Sequence, residues 1–269
     1  MISVIIINYN TFTLTKKCIE SVYQFTKNIE FEIILVDNAS VECDAQIFKS
    51  LFPDIRLIKN DNNVGFAKGN NIGIEQASGE FILLLNSDIE LTENSIQICV
   101  DFLKRHKDAG VVSPMLTYPD GTIQSVGQRF PSVKYQLFEL FRLQKLVSKE
   151  KAGRLLLGSF FNYQTNTEVD WVWGAFFLFK KEILLKLPEQ KLDDSYFMYY
   201  EDMQWCVDIK KLGYKILYLA DTKAIHHMGG SSGQKSEMMR KNGELFLERN
   251  FSPLKIKCIK LLQNLLKTR

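Results

Sequence analysis

Three clusters of Asn and Asp in the first ninety residues have the chemistry of a ligand site. They are Asn8-Tyr9-Asn10, Asp37-Asn38 and Asn86-Ser87-Asp88, and each directly follows a short run rich in Val, Ile and Leu. Carboxylates bind hard cations such as Mg²⁺ together with phosphates and water, so Asp88 alone could hold a metal on a diphosphate. A turn that closes a strand is the simpler interpretation of any one cluster. The threefold recurrence favours a nucleotide-type site.

Residues 63–71 add further features of a nucleotide pocket. Gly65 allows the backbone to approach a ligand closely, and the N-terminus of the helix that follows favours anionic groups. Asp37 could accept the imide N–H of uracil or thymine, and Tyr9 could stack on the ring. A glycine-containing turn before an ordinary helix is the alternative. The segment matches neither the Walker phosphate loop nor the G-x-G-x-x-G fingerprint.

Two groups in the second half could take part in the chemistry. Asp202, beside Glu201, could be a general base that takes the proton of an acceptor hydroxyl. Acids that stabilise a helix dipole are the alternative interpretation. His226 and His227 end a predicted strand, and a single imidazole is an ordinary ligand for Mn²⁺-like ions. A buried, hydrogen-bonded histidine is expected about as often.

The elements that must position these residues alternate between strand and helix. The runs 4–7, 33–36 and 81–85 lack polar alternation, which is typical of strands buried on both faces. Further segments predict a strand over 55–58 and helices over 13–25, 45–52, 68–77 and 94–105. This alternation predicts an α/β fold with a mostly parallel, Rossmann-like central sheet flanked by helices. Ligands bind such sheets beyond the carboxyl ends of the strands, where the polar clusters lie.

The second half has a different pattern. Pro119-Asp120-Gly121 predicts a hairpin turn. Further along, the sequence predicts a patternless segment over 129–165, a long strand over 169–179, a helix over 202–212, a strand over 214–219 and a flexible loop over 229–233. We expect 129–165 and 189–200 to shape an acceptor site, and the former to be mobile without acceptor.

Bulk composition indicates an intracellular globular protein. At 269 residues, 46% hydrophobic and 24% charged, the chain can bury one large core or two small ones. No apolar run approaches the roughly 18 residues needed to span a bilayer, and the start lacks a basic signal-peptide region. The five cysteines include no C-x-x-C pair, which favours free thiols over disulfides or a zinc site. We therefore expect a cytoplasmic protein.

The charge is concentrated at the C-terminus. Residues 236–269 carry eight Lys and Arg against three Glu, while the whole chain has a net charge of only +3. This argues for a basic helical tail and against a nucleic-acid-binding body. On a helical wheel the apolar residues of the tail fall on one side: Leu254, Cys258, Ile259, Leu261, Leu262, Leu265 and Leu266. Such a helix predicts contact with an anionic membrane, at its inner face. Packing on the catalytic domain, or on a second subunit in a homodimer, is the alternative.

Taken in order, these motifs resemble glycosyltransferase family two, the inverting nucleotide-sugar transferases of the GT-A fold. The resemblance covers roughly residues 1–235. Its motifs are Val4 to Asn10, Val36 to Ser40, Asn63 to Ile74, Asn86-Ser87-Asp88, Trp173-Gly174-Ala175, Glu201-Asp202, and His227 in a His-x-Gly-Gly-x-Ser pattern. The chain looks closest to the rhamnosyltransferase-like branch that builds bacterial surface polysaccharides.

The resemblance implies a role for each motif. Its donor-binding residues would be Asn8, Tyr9, Asp37, Gly65, Asn71, Asn86 and Asp88, with Asp88 and His227 on a divalent Mg or Mn ion. The residues for the chemistry would be Asp202 as catalytic base, with Trp173, Gly174 and Glu201 on the acceptor side. One departure is that the family's Asp-x-Asp is Asn-Ser-Asp here, which weakens the expected metal site.

The implied organisation is a catalytic domain over 1–235 and a basic helical tail over 236–269. Within the domain, 1–115 would bind the nucleotide sugar and 116–235 would form the acceptor side. The expected reaction moves a sugar from a nucleotide-diphosphate donor to a saccharide or lipid-linked acceptor. The alternatives are a sugar-nucleotide-binding protein without catalysis and a sugar-1-phosphate nucleotidyltransferase, although Asn8 to Thr11 lacks the latter's Gly-rich basic loop.

Overall fold

The computed structural model of the protein describes residues 1–228 and 235–267. Its strands are β1 (Ile2–Asn8), β2 (Phe31–Asp37), β3 (Arg56–Lys59), β4 (Phe81–Asn86), β5 (Ile89–Leu91), β6 (Ala109–Thr117), β7 (Gly127–Gln128), β8 (Thr167–Val169), β9 (Trp171–Val172), β10 (Phe176–Lys180) and β11 (Lys215–His226). Its α-helices are α1 (Phe12–Phe25), α2 (Gln46–Leu51), α3 (Phe66–Glu75), α4 (Ser95–Arg105), α5 (Val133–Leu140), α6 (Lys149–Leu156), α7 (Glu201–Lys211), α8 (Lys235–Asn250) and α9 (Pro253–Lys267). The loop predicted over 229–233 lies outside the described residues, as does the end of the tail.

A nine-stranded mixed sheet forms the centre of the molecule. Its order is β3-β2-β1-β4-β10-β6-β11-β5, with β8 also paired to β11. Strands β1, β2, β3, β4, β6 and β11 run in one direction, and β5, β8 and β10 run in the other. The predicted α/β class with a mostly parallel sheet is confirmed. The long apolar runs are buried on both faces because helices cover the sheet.

The strand order reverses at β1. The chain proceeds from β1 to β2 and β3 on one side, and then crosses to add β4 on the other side. A crevice forms at such a switch point, beyond the carboxyl ends of the strands. The register places Asn8 opposite Asp37 and Ile7 opposite Asn86. The three polar clusters predicted from the sequence therefore meet at one edge of the sheet.

Most helix predictions are confirmed to within two residues, whereas the strand predicted over 169–179 is wrong. This run is divided among β8, β9 and β10, which pair with three different sets of strands. Asp170 interrupts the run, since its carboxylate accepts the backbone N–H of Phe130 at 3.0 Å. Gly174 lies at a second break before β10. A continuous apolar stretch hides such breaks because it has no period that would reveal them.

The segment over 129–165, predicted to lack pattern, contains α5 and α6 together with short 3₁₀ turns. Helix α5 packs against α9. In α9, Ile259 and Leu262 are buried, and Phe246 of α8 is fully buried as well. The tail therefore packs on the rest of the protein along one side. In residues 1–228 and 235–267, no helix is both long enough and apolar enough to cross a bilayer.

Candidate active site

A cleft of about 270 Å³ opens at the switch point of the sheet. Its lining comes from both halves of the chain and consists of Ile7, Tyr9, Thr11, Asn38, Asn63, Gly65, Phe66, Asn86, Ser87, Asp88, Trp173, Gly174, Ala175, Met198, Tyr199, Glu201, Asp202, His226 and Met228. Most of the residues predicted to bind the donor or the acceptor are in this set. Asn8, Asp37, Asn71 and His227 are not.

The side chains of Asn8 and Asp37 are hydrogen-bonded to each other at the ends of β1 and β2. Asn8 is fully buried, and its Nδ2 donates to Asp37 Oδ1 at 2.7 Å and to Ser40 Oγ at 2.9 Å. The other carboxylate oxygen of Asp37 accepts the backbone N–H of Ser40 at 3.0 Å. The side chain that reaches the cleft from the end of β2 is that of Asn38. Asp37 therefore fixes the strand ends, and its predicted contact with a base stays a prediction.

The side of the cleft formed by Tyr9 and Gly65 suits a nucleotide base and ribose. Tyr9 is 45% exposed and lines the cleft, so its ring is available for stacking. Gly65 has φ +85°, and a Cβ there would lie 2.3 Å from the carbonyl oxygen of Phe197. Only glycine fits this position, because the chain comes this close to 197 with a left-handed backbone. The amide N–H of Phe66 donates to the same carbonyl at 2.7 Å.

Asn71 of α3 is not among the residues that line the cleft. Its side chain makes two hydrogen bonds to the backbone of Leu192, donating to the carbonyl at 2.8 Å and accepting the N–H at 3.2 Å. The predicted role in shaping the nucleotide pocket is therefore indirect. Asn71 holds the start of the segment over 192–200, whose later residues line the cleft.

Strand β5 brings Asp88 and His226 together. Strand β11 pairs with β5 so that His226 lies opposite Ile89, and the His227 N–H donates to the Asp88 carbonyl at 2.9 Å. His226 Nε2 consequently lies 3.4 Å from Asp88 Oδ1, and both side chains are almost fully buried. His227 is one residue further on, where its Nε2 lies 2.9 Å from Glu90 Oε2.

The hydrogen-bond network determines the His226 tautomer. Gln124 Nε2 donates to the His226 carbonyl at 2.9 Å, which leaves Gln124 Oε1 to accept from His226 Nδ1 at 2.8 Å. With Nδ1 directed at Gln124, the Nε2 atom of His226 faces the Asp88 carboxylate. A buried imidazole oriented in this way through its other nitrogen is the usual arrangement of a metal ligand.

Glu201 and Asp202 lie at the start of α7, on the opposite wall of the cleft. Asp202 Oδ2 accepts the N–H of Gly174 at 3.0 Å, and Oδ1 accepts that of Met203 at 2.8 Å. Burial raises the pKa of Asp202 to about 6, while these two hydrogen bonds oppose the rise by stabilising the ionised form. Burial, followed by the charge of Asp202, holds the pKa of Glu201 well above its usual range.

The environments of these two acids separate their protonation states. With a pKa of about 6, Asp202 is largely ionised near pH 7 and can accept a proton, whereas burial and the charge of Asp202 favour the protonated form of Glu201, which can donate a hydrogen bond. Glu201 Oε2 is buried and has no hydrogen-bond partner in the part of the chain that the structure describes. A hydroxyl group in the cleft would therefore meet one base and one donor.

Sequence reasoning placed Asn38 in a polar cluster and Met198 in the segment over 189–200, but it assigned the metal to His227 and not to His226. The alternation along β11 contains a signal for His226, because Thr222, Ala224 and His226 are buried while Asp221, Lys223 and Ile225 are not. This period of two directs position 226 towards the interior.

Comparison with known proteins agrees with this geometry. The profile of Glycosyl transferase family 2 matches residues 3–187. The chain belongs to glycosyl transferase family 2. A curated relative is the N-acetylglucosaminyl-diphospho-decaprenol L-rhamnosyltransferase of Mycobacterium tuberculosis, with 22% identity over 227 residues that cover 75% of this chain and 68% of that protein.

Solved structures show that this glycosyltransferase has the GT-A fold. GalNAc-T7 with UDP, GalNAc and Mn²⁺ superposes with a TM-score of 0.69 and 17% identity, covering 92% of this chain and 48% of that one. The mannosyltransferase PcManGT of Pyrobaculum calidifontis, in complex with GDP-Man and Mn²⁺, gives a TM-score of 0.62 and 16% identity, covering 97% and 68%. The family and fold predicted from the sequence are confirmed.

Proposed function

We propose that this glycosyltransferase moves a sugar from a nucleoside-diphosphate donor to a hydroxyl group of a saccharide or lipid-linked acceptor, with inversion at the anomeric carbon. The observation that carries the proposal is one cleft with a phosphate-side pair, Asp88 and His226, on one wall and an ionised Asp202 on the other. Relatives such as the M. tuberculosis rhamnosyltransferase support a role in bacterial surface polysaccharide synthesis, with rhamnose as one candidate sugar.

The donor nucleotide would occupy the side of the cleft near Tyr9, Asn38 and Gly65. Tyr9 provides a ring for stacking on the base, and Gly65 lets the backbone approach the ribose. The diphosphate would then lie over Asn86, Ser87 and Asp88 at the end of β4. This orientation directs the sugar towards Trp173 and Asp202.

The residues near Asp88 fit a divalent cation such as Mg²⁺ or Mn²⁺. Asn86 Oδ1 is buried without a hydrogen-bond partner among the described residues, and Asp88 Oδ1 and His226 Nε2 face each other at 3.4 Å. No cluster of three His, Cys, Asp or Glu side chains suited to a metal occurs in residues 1–228 and 235–267. Protein sites for Mg²⁺ commonly provide one or two carboxylates, and the phosphates complete the coordination. A bound cation would neutralise the diphosphate as it leaves.

We assign the imidazole of this site to His226 in place of the predicted His227. The reason is distance, since His226 faces Asp88 while His227 faces Glu90. Asp202 would remove the proton of the acceptor hydroxyl, which attacks the anomeric carbon from the face opposite the diphosphate. The C–O bond to the acceptor forms as the C–O bond to the diphosphate breaks, and the proton ends on Asp202. Glu201 in its protonated form, which burial favours, would orient the acceptor through a hydrogen bond.

The anomeric configuration of the product tests this mechanism. We expect candidate UDP- or dTDP-sugars, incubated with Mn²⁺ and glycan acceptors, to give a product of opposite anomeric configuration by NMR. Slow hydrolysis of one donor without acceptor would identify the sugar. A product that retains the donor's configuration would contradict a single displacement. Release of pyrophosphate from sugar-1-phosphate and nucleotide would indicate a nucleotidyltransferase instead.

The exposed side of α9 supports peripheral contact with a membrane. Leu254, Cys258, Leu261 and Leu265 are spaced by four, three and four residues and so share one face, which borders the buried Leu262. Leu254 is 74% exposed and Leu261 is 60% exposed, and Lys257 lies beside them. This arrangement fits an anionic bilayer, where leucines enter the acyl boundary and lysines remain among the headgroups. A lipid-linked acceptor would be presented at such a surface.

Replacing Leu254 and Leu261 by Gln is expected to weaken binding to phosphatidylglycerol vesicles by about tenfold for each leucine, because each loses a membrane-buried side chain. Sedimentation with vesicles measures the effect. Activity on a soluble acceptor should be unchanged. The control is the double change Leu51→Gln and Leu185→Gln, at leucines that are 44% and 69% exposed outside the tail. A change of oligomeric state in the tail variant would favour a dimer contact over the membrane.

A further inference from the structure

Helix α8 lies beyond the residues matched by the family profile, yet it contacts the segment that leads into the acid pair of the cleft. That segment ends at Tyr199 and Tyr200, which have φ values of +70° and +75°. A left-handed backbone is unfavourable for residues with a Cβ and persists only where surrounding contacts hold it. Tyr200 is directly followed by Glu201, the first residue of α7. The two left-handed residues therefore set the direction in which α7 and its acids begin.

The side chain of Asn242 in α8 is hydrogen-bonded to the backbone of this turn. Its Nδ2 donates to the carbonyl of Met198 at 2.8 Å and to that of Tyr199 at 3.0 Å. Met198 and Tyr199 both line the cleft. One side chain from α8 thus engages the carbonyls of two consecutive cleft residues, and both bonds depend on the same amide group.

The ring of Tyr200 packs against the backbone of Gly243. A Cβ at this glycine would lie 2.7 Å from the Tyr200 hydroxyl oxygen and 3.0 Å from its Cζ. The Tyr200 ring also packs on Phe246, with the centroids 5.9 Å apart. A glycine in the middle of a helix is unfavourable on its own. Here its lack of a side chain allows the backbone of α8 to contact the second left-handed residue.

Two further contacts extend the connection on both sides of the turn. Arg249 makes a two-pronged pair with Asp193, upstream of the turn, with N–O distances of 2.5 and 3.2 Å. Asn250 Nδ2 donates to Gln204 Oε1 at 2.8 Å, downstream of the turn and inside α7. Helix α8 therefore contacts the segment before, at and after the left-handed residues.

We infer that α8 is a positioning element of the transferase, and that Asn242 and Gly243 hold the Tyr199–Tyr200 turn so that Asp202 meets the acceptor hydroxyl. The inference rests on the proposed role of Asp202 as the base. The hydrogen bonds of Asn242, Arg249 and Asn250 described above go to residues 193–204, which lie on the side of the cleft that leads into the acid pair. The effect of α8 should therefore fall on the chemical step and spare nucleotide binding.

The variants Asn242→Ala, Asn242→Asp and Gly243→Ala test the positioning role. Asn242→Asp keeps the shape but replaces the donating amide by an oxygen that repels both carbonyls. We expect kcat to fall by up to about 100-fold in each, the scale of a displacement of about 1 Å in an active site. The Kd for UDP or dTDP with Mn²⁺ should stay within about twofold. Glu248→Ala, at an exposed position on the same helix, is the matched control and should behave as wild type.

Hydrogen–deuterium exchange provides a measurement that does not depend on activity. Amides of residues 196–204 should exchange faster in Asn242→Ala than in wild type or Glu248→Ala, while those of β1 and β4 should not change. Unchanged exchange and unchanged kcat would overturn the inference. A parallel loss of nucleotide binding, kcat and thermal stability would also overturn it, because it would show a purely structural role. If the wild-type chain transfers no sugar, the proposed function fails, and the exchange data still decide whether α8 holds the turn.

Discussion

Replacing Asp202 by Asn is expected to reduce turnover by roughly 100-fold or more, the usual scale for the loss of a general base. Asn cannot accept the proton of the acceptor hydroxyl, but its side-chain oxygen can still accept the N–H of Gly174. Donor affinity should therefore stay nearly constant. Steady-state kinetics with a titration of nucleoside diphosphate in the presence of Mn²⁺ would separate the two effects. The exposed Asp54→Asn variant is the matched control.

The pH dependence of the wild-type enzyme checks the same assignment. Burial raises the pKa of Asp202 to about 6, and the base works only when it is ionised. We therefore expect kcat to rise as the pH increases through about 6, and this limb of the profile should be absent from the residual activity of Asp202→Asn. If the substitution abolishes nucleotide binding instead, Asp202 belongs to the donor site.

Replacing Asp88 by Ala is expected to remove metal-dependent binding of the donor while leaving the fold intact. The carboxylate is the one full negative charge that the end of β4 offers to a cation, since Asn86 and Ser87 are neutral. Losing a charged ligand should cost several kcal/mol of stabilisation of the departing diphosphate. Calorimetric titration of UDP or dTDP with and without Mn²⁺ measures the loss of metal-dependent binding.

Two comparisons make the Asp88 result interpretable. Thermal unfolding of Asp88→Ala should remain cooperative, which would show that the buried His226 tolerates the change. His226→Ala should weaken the same metal-dependent binding, whereas His227→Ala should have the smaller effect, because Glu90 and not Asp88 faces His227. Normal turnover by Asp88→Ala would end the assignment of a metal to this pair.

The sequence predicted the nucleotide half of the protein well. The apolar runs before Asn8, Asp37 and Asn86 form adjacent strands, because continuous burial on both faces leaves a strong local signal. Convergence of their polar ends follows from parallel pairing, in which the carboxyl ends lie at one edge. The acid pair at the start of α7 was equally visible, since the helical period begins there.

The sequence was a poorer guide wherever side-chain direction depends on pairing partners. Asp37 lies at a strand tip as predicted, but its oxygens accept from Asn8 and Ser40, which no local pattern shows. The stretch over 169–179 resembles one strand because all of its pieces are apolar. In the structure each piece pairs with different strands. Asn71, taken as a pocket residue, bonds to Leu192, which is 121 positions away.

Local pattern determined which residues of this chain form strands, which helices cover them and where polar groups gather, since burial and periodicity are properties of neighbouring residues. Tertiary structure alone decided which of the two adjacent histidines faces Asp88, because a shift of one residue along a strand turns a side chain to the opposite face and only the pairing of β11 with β5 sets that register. It also decided that α8 holds Tyr199 and Tyr200. Those contacts join segments more than 40 residues apart, and no local period records them.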